Sequence, residues 1–92
     1  MTSREVKSLY RSPVRMPNGL QWHGDDLYVM DQLTDDVFVL NENGSVKRVI
    51  WTETVNGSGI TVSDGYIWTA CNSNSGATAR PKRPYDDHVA NV

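Results

Sequence analysis

The sequence predicts an all-β protein built from short antiparallel strands. Three observations carry that expectation. Apolar runs of about five residues are bounded by turn residues, no segment holds a helical apolar period, and a pattern returns after 40 residues.

The recurrence needs no gap from Val6 to about Asn72. Val6-Lys7-Ser8-Leu9-Tyr10 aligns with Val46-Lys47-Arg48-Val49-Ile50. Gly19-Leu20-Gln21-Trp22 aligns with Gly59-Ile60-Thr61-Val62, and Leu27-Tyr28-Val29 with Ile67-Trp68-Thr69. Identities are few, so the match rests on paired apolar positions and a shared glycine.

Within one period the elements follow in order. Residues 19–23 form a short strand ended by the turn Gly24-Asp25-Asp26. Residues 27–31 form a second, rich in aromatic and β-branched side chains, and residues 36–41 a third around Val37-Phe38-Val39-Leu40. Asn41-Glu42-Asn43-Gly44 then turns the chain, Asn-Gly being the strongest short hairpin signal. Residues 46–51 complete a four-stranded meander.

The third strand is apolar on both of its faces, so it expects cover on both sides. Blades of a β-propeller supply that cover, each four-stranded sheet packing against its neighbours around an axis. The predicted fold is therefore a β-propeller, with about two four-stranded antiparallel blades per chain.

The chain is expected to be a single partial propeller over residues 1–92 that starts out of phase with its own sheets. Residues 5–11 match a fourth strand, residues 18–51 make a full blade, and residues 59–92 make an incomplete one. In that last part, strands over 59–63 and 66–71 precede a Gly/Ser/Pro-rich stretch from 73 to 85, and residues 88–92 form a third strand. The incomplete blade lacks the strand that the N-terminus offers. The expected partner is a second copy, in a head-to-tail ring where three chains make six blades.

Composition narrows the function classes. The 92 residues are 38% hydrophobic with three Trp and four Tyr, which is globular. Nine basic residues against eleven acidic ones leave a net charge of −2, so no nucleic acid partner is expected. Arg80, Lys82 and Arg83 sit among prolines and read as a solvated loop. No run approaches the ~20 apolar residues of a membrane span, and no signal-peptide pattern opens the chain. A cytoplasmic location and no membrane partner follow as expectations. Cys71 is the one cysteine, which excludes an intrachain disulfide and a Cys-rich zinc site.

The stretch Pro17-Asn18-Gly19-Leu20-Gln21-Trp22-His23-Gly24-Asp25-Asp26-Leu27-Tyr28-Val29-Met30-Asp31 resembles a blade opening of six-bladed propellers. It is similar to the gluconolactonase/regucalcin-like group and to NHL or virginiamycin-lyase-like groups, with Ser58 to Trp68 as a looser second copy. The resemblance implies that Asn18, at the start of an innermost strand, helps hold a divalent metal near the axis. Ser58 stands at the corresponding place in the second copy and departs from that pattern.

Ligands of propellers sit where loops lead into the first strand and leave the second. Asn18, Asp31 and Asn72, with Asp35 beside them, are the candidate ligand-binding residues. Their hard oxygens suit a divalent cation such as calcium, with Asn18 the candidate metal ligand. Asn18 and Asp31 read first as turn caps bonded to their own backbone, the commonest use of such residues. His23 lies in a turn away from that mouth. His88, after Asp86-Asp87, reads as part of a solvated loop. Trp22, Trp51 and Trp68 are expected to pack between blades. No nucleophile elbow, phosphate loop or zinc spacing is present, so no catalytic residue is named. The leading function is a non-catalytic binding or structural module. The alternative is a lactonase- or lyase-like enzyme, metal-dependent and active only in a completed ring.

Overall fold

The computed structural model describes residues 11–71 together with Pro81 and Arg83. These residues form six β-strands and no helix: β1 (Pro17–His23), β2 (Asp26–Asp31), β3 (Asp36–Leu40), β4 (Val46–Trp51), β5 (Gly57–Ser63) and β6 (Tyr66–Cys71). The first four make an antiparallel sheet in sequence order, and β5 and β6 make a two-stranded one. The strands expected over residues 5–11 and 88–92 lie outside the described residues, apart from Arg11, which is not in a strand.

Turn chemistry explains the hairpins. Asp64 and Gly65 between β5 and β6 both take positive φ, 51° and 80°, as a two-residue type I′ turn requires. Between β1 and β2, Gly24 alone is left-handed, placed first as in a type II′ turn. The β3–β4 connection differs from the tight Asn-Gly hairpin that the sequence suggests. It is a five-residue loop in which only Gly44 is left-handed, at φ 88°. The Asn41 N–H donates to the Ser45 carbonyl at 2.9 Å, and the Asn43 side chain accepts from the Ser45 N–H at 3.0 Å.

The two hairpins β1–β2 and β5–β6 share one registry. Leu20 pairs with Val29 and Ile60 with Thr69; Trp22 pairs with Leu27 and Val62 with Ile67. Both first strands also carry an irregularity at their start, after Pro17 and after Gly57.

The sheets pack face to face. Tyr28, Met30, Val37 and Val39 of the first sheet are buried against Val62, with Ile60 and Ile67 of the second beside them. Burying such side chains contributes about 1.5–3 kcal/mol each and does most to hold the sheets together. Val14, Val29 and Leu40 form a smaller cluster on the other face of the first sheet, with Leu27 and Phe38 packed against it. The third strand is therefore covered on both faces, as its sequence requires.

β1 lies beside β5 at the seam between sheets. A side chain on Gly19 would place its Cβ 2.7 Å from the Ser58 carbonyl oxygen, and Gly19 itself sits at φ 93°. Only glycine satisfies both constraints. Gly57 is equally crowded, since a Cβ there would lie 2.5 Å from the Met30 sulfur.

Candidate functional site

Asn18, Asp31 and Asp35 are brought to one end of the first sheet, around the turn from β2 to β3. Asn18 enters β1 beside the last residue of β2, because Pro17 pairs with Asp31. Its side-chain amide donates to the Gln32 side-chain oxygen at 3.4 Å. Asn72 and His88 lie outside the described residues.

Asp31 is fully buried, and its carboxylate is already engaged by main-chain donors. One oxygen accepts from the Leu33 N–H at 2.9 Å and the Thr34 N–H at 3.4 Å, and the other from the Arg15 N–H at 3.2 Å. Its carbonyl accepts from the Asp35 N–H at 2.8 Å, closing the turn. Of the two roles its sequence position allows, capping is the one its geometry performs.

Asp35 is also fully buried and holds φ 59°, a conformation that Asp tolerates better than most residues. Its carboxylate accepts from the Gly57 N–H at 2.9 Å and from the Thr54 hydroxyl at 3.4 Å. The Thr52 hydroxyl donates to the Asp35 carbonyl and lies 2.6 Å from the Thr54 hydroxyl. This side chain in the β2–β3 turn thus ties down the connection that leads to the second sheet.

Arg83 completes the arrangement. Its guanidinium donates to Asp36 at 3.1 Å and to the Thr52 carbonyl at 3.3 Å, and it stacks 4.4 Å above the Trp51 ring. Arg83 is buried, which corrects the expectation that the basic cluster around it is solvated throughout. A planar fork that pairs and stacks at once suits arginine and not lysine. In the same turn the Thr34 hydroxyl oxygen is buried without a hydrogen-bond partner among the described residues.

Gln21 is not legible in the sequence as a functional residue. Its amide crosses the seam, donating to the Val62 carbonyl at 2.7 Å and accepting from the Val62 N–H at 3.2 Å. The opposite end of the sheet holds an open polar depression lined by Asp25, Asp26, Asn41, Glu42, Asn43 and Lys47. Lys47 and Asp26 pair there at 3.1 Å with substantial exposure, an ion pair of about 1 kcal/mol at most.

Trp22, Trp51 and Trp68 are all exposed within the chain, so none packs between its own two sheets. Each is on a sheet face that the other sheet does not cover. His23 is exposed in the first hairpin, edge-on to Tyr28 at 6.3 Å between ring centroids. Among the described residues no three His, Cys, Asp or Glu groups are placed to hold a metal ion. No helix among them is long and apolar enough to cross a membrane. Set against family models, curated proteins and solved structures, the chain matches none.

Proposed function

We propose that the chain is a non-catalytic assembly module whose two sheets are consecutive blades of a β-propeller, completed by further copies of itself. The observation that carries this reading is the seam. Strands β1 and β5 lie side by side, the sheets stack face to face, and one pairing registry serves both hairpins at an interval of 40 residues. Adjacent blades of a propeller relate in this way.

A binding role fits the site better than a hydrolytic one. Propellers commonly present loops to a partner, and the carboxylates of Asp31, Asp35 and Asp36 at this end of the sheet already accept from main-chain N–H groups, a hydroxyl and the Arg83 guanidinium. The lactonase- or lyase-like alternative would need Asn18 joined by a carboxylate free to hold a cation. Asp31 and Asp35 are the nearest in the turn, and both are engaged.

Three copies of two blades would make a six-bladed ring, the number that the blade-opening resemblance implies. Light scattering on the purified chain tests the reading. A mass three times 10.3 kDa, with β-sheet circular dichroism, is expected. A folded monomer at micromolar concentration would overturn it.

A further inference from the structure

Over β1, β2, β5 and β6 the outward faces of the two sheets correspond to the two sides of the interface inside the chain, while the counterparts of Val37, Val39 and Ile50 lie outside the described residues. Shifting by 40 residues turns Tyr28 and Met30, which cover the second sheet, into Trp68 and Ala70. It turns Ile60, Val62 and Ile67, which they cover, into Leu20, Trp22 and Leu27. Trp68 and Tyr66 on one outward face are 58% and 67% exposed, and Leu20 and Trp22 on the other 60% and 49%. Apolar patches of this kind mark interfaces.

We infer that a second copy of this chain docks head to tail, its Leu20–Trp22–Leu27 face lying under the Trp68–Ala70 face of the first. The contact would be a copy of the internal seam. This inference rests on the propeller reading and deepens it by assigning the two surfaces.

Two further details favour a second copy over any other occupant. Inside the chain Met30 fits only because residue 57 is glycine, a Cβ there lying 2.5 Å from its sulfur. At the shifted positions the sizes exchange: Ala70 stands for Met30 and Pro17 for Gly57. A small residue then faces a larger one, so the fit survives.

Gly59 is the second detail. Its counterpart Gly19 is required by the β5 backbone pressing on it. Among the described residues nothing presses on Gly59, whose φ is ordinary and whose added Cβ would meet only Ala70, at 3.9 Å. A neighbouring β1, arriving as β5 arrives at Gly19, would supply the missing close approach.

The geometry is heterologous, since one surface meets a different surface. Two variants of the full chain test it by sedimentation velocity, with circular dichroism to verify folding. Trp22→Lys spoils one face and Trp68→Lys the other; both residues are exposed, so folding is expected to persist. Each variant alone should sediment as a monomer, with association weakened at least about tenfold. Mixed in equal amounts they should form a dimer, because one intact Trp68 face meets one intact Trp22 face. Gly59→Ala should weaken assembly while leaving the circular dichroism unchanged.

An unaltered chain that is monomeric would overturn the propeller-assembly reading itself. An unaltered chain that assembles, with either lysine variant assembling equally well, would overturn only the face assignment. So would a mixture that stays monomeric.

Discussion

The side chain of Gln21 occupies both main-chain groups of Val62, accepting from its N–H and donating to its carbonyl across the seam between sheets. A side-chain amide holds a donor and an acceptor side by side at the spacing of a peptide group, so it can stand in for a strand. It is what a backbone edge would offer if β1 and β5 were paired directly.

Replacing Gln21 with Met keeps the length and removes both bonds. Stability should fall by about 1–3 kcal/mol, because the Val62 main-chain groups lose their partner in a partly buried place. Chemical denaturation with an unchanged m-value would verify that the loss is in the folded state.

Asp31 and Asp35 should be the most sensitive polar positions. Asp31→Ala leaves three backbone N–H groups without their acceptor, and Asp35→Ala adds strain at positive φ to the loss of the Gly57 contact. Each should cost about 2–4 kcal/mol, with Asn at either position milder because one oxygen remains. Thermal melts of the four variants give the ranking.

Gly57 and Met30 should be coupled. Gly57→Ala drives a Cβ into the Met30 side chain and should cost about 1–3 kcal/mol by overpacking. Met30→Ala alone should cost about 2–5 kcal/mol through the cavity it opens. The double variant should be less unstable than the sum by about 1 kcal/mol or more, measured as a double-mutant cycle.

Calcium should not stabilise the chain. A ligand raises the melting temperature only through binding to the folded form, and the buried carboxylates already serve main-chain donors. Millimolar calcium should move the midpoint by less than about 1 °C; a clear rise abolished by Asn18→Ala would restore the metal-binding alternative.

The six described strands are legible in the sequence to within two residues at each end. Short apolar runs between Gly, Asn and Asp have few other uses, and Val46–Trp51 emerges with its bounds unchanged. The site is legible only in part. Asp31 and Asp35 stand out as residues, but a capping aspartate and a ligand aspartate look alike until their donors are traced. The tie from Asp35 to Gly57 spans 22 residues and the Gln21 clasp spans 41, so both depend on how sheets stack. Gln21 reads as an ordinary polar strand residue. The size and apolar character of the tryptophans suggest packing between sheets, but their strand parity puts them on faces that this chain leaves open.

The 41-residue span of the Gln21 clasp also bears on the order of events as the chain takes shape. Each turn can close early, since its partners are neighbours, whereas the seam must wait for distant parts to meet. A two-stranded ribbon is marginal in water, and among the described residues β5–β6 has no further strand, so there it leans on the first sheet. Amide exchange in β5 and β6 should accordingly quicken together in Gln21→Met, while the central strands β2 and β3 keep their slow exchange.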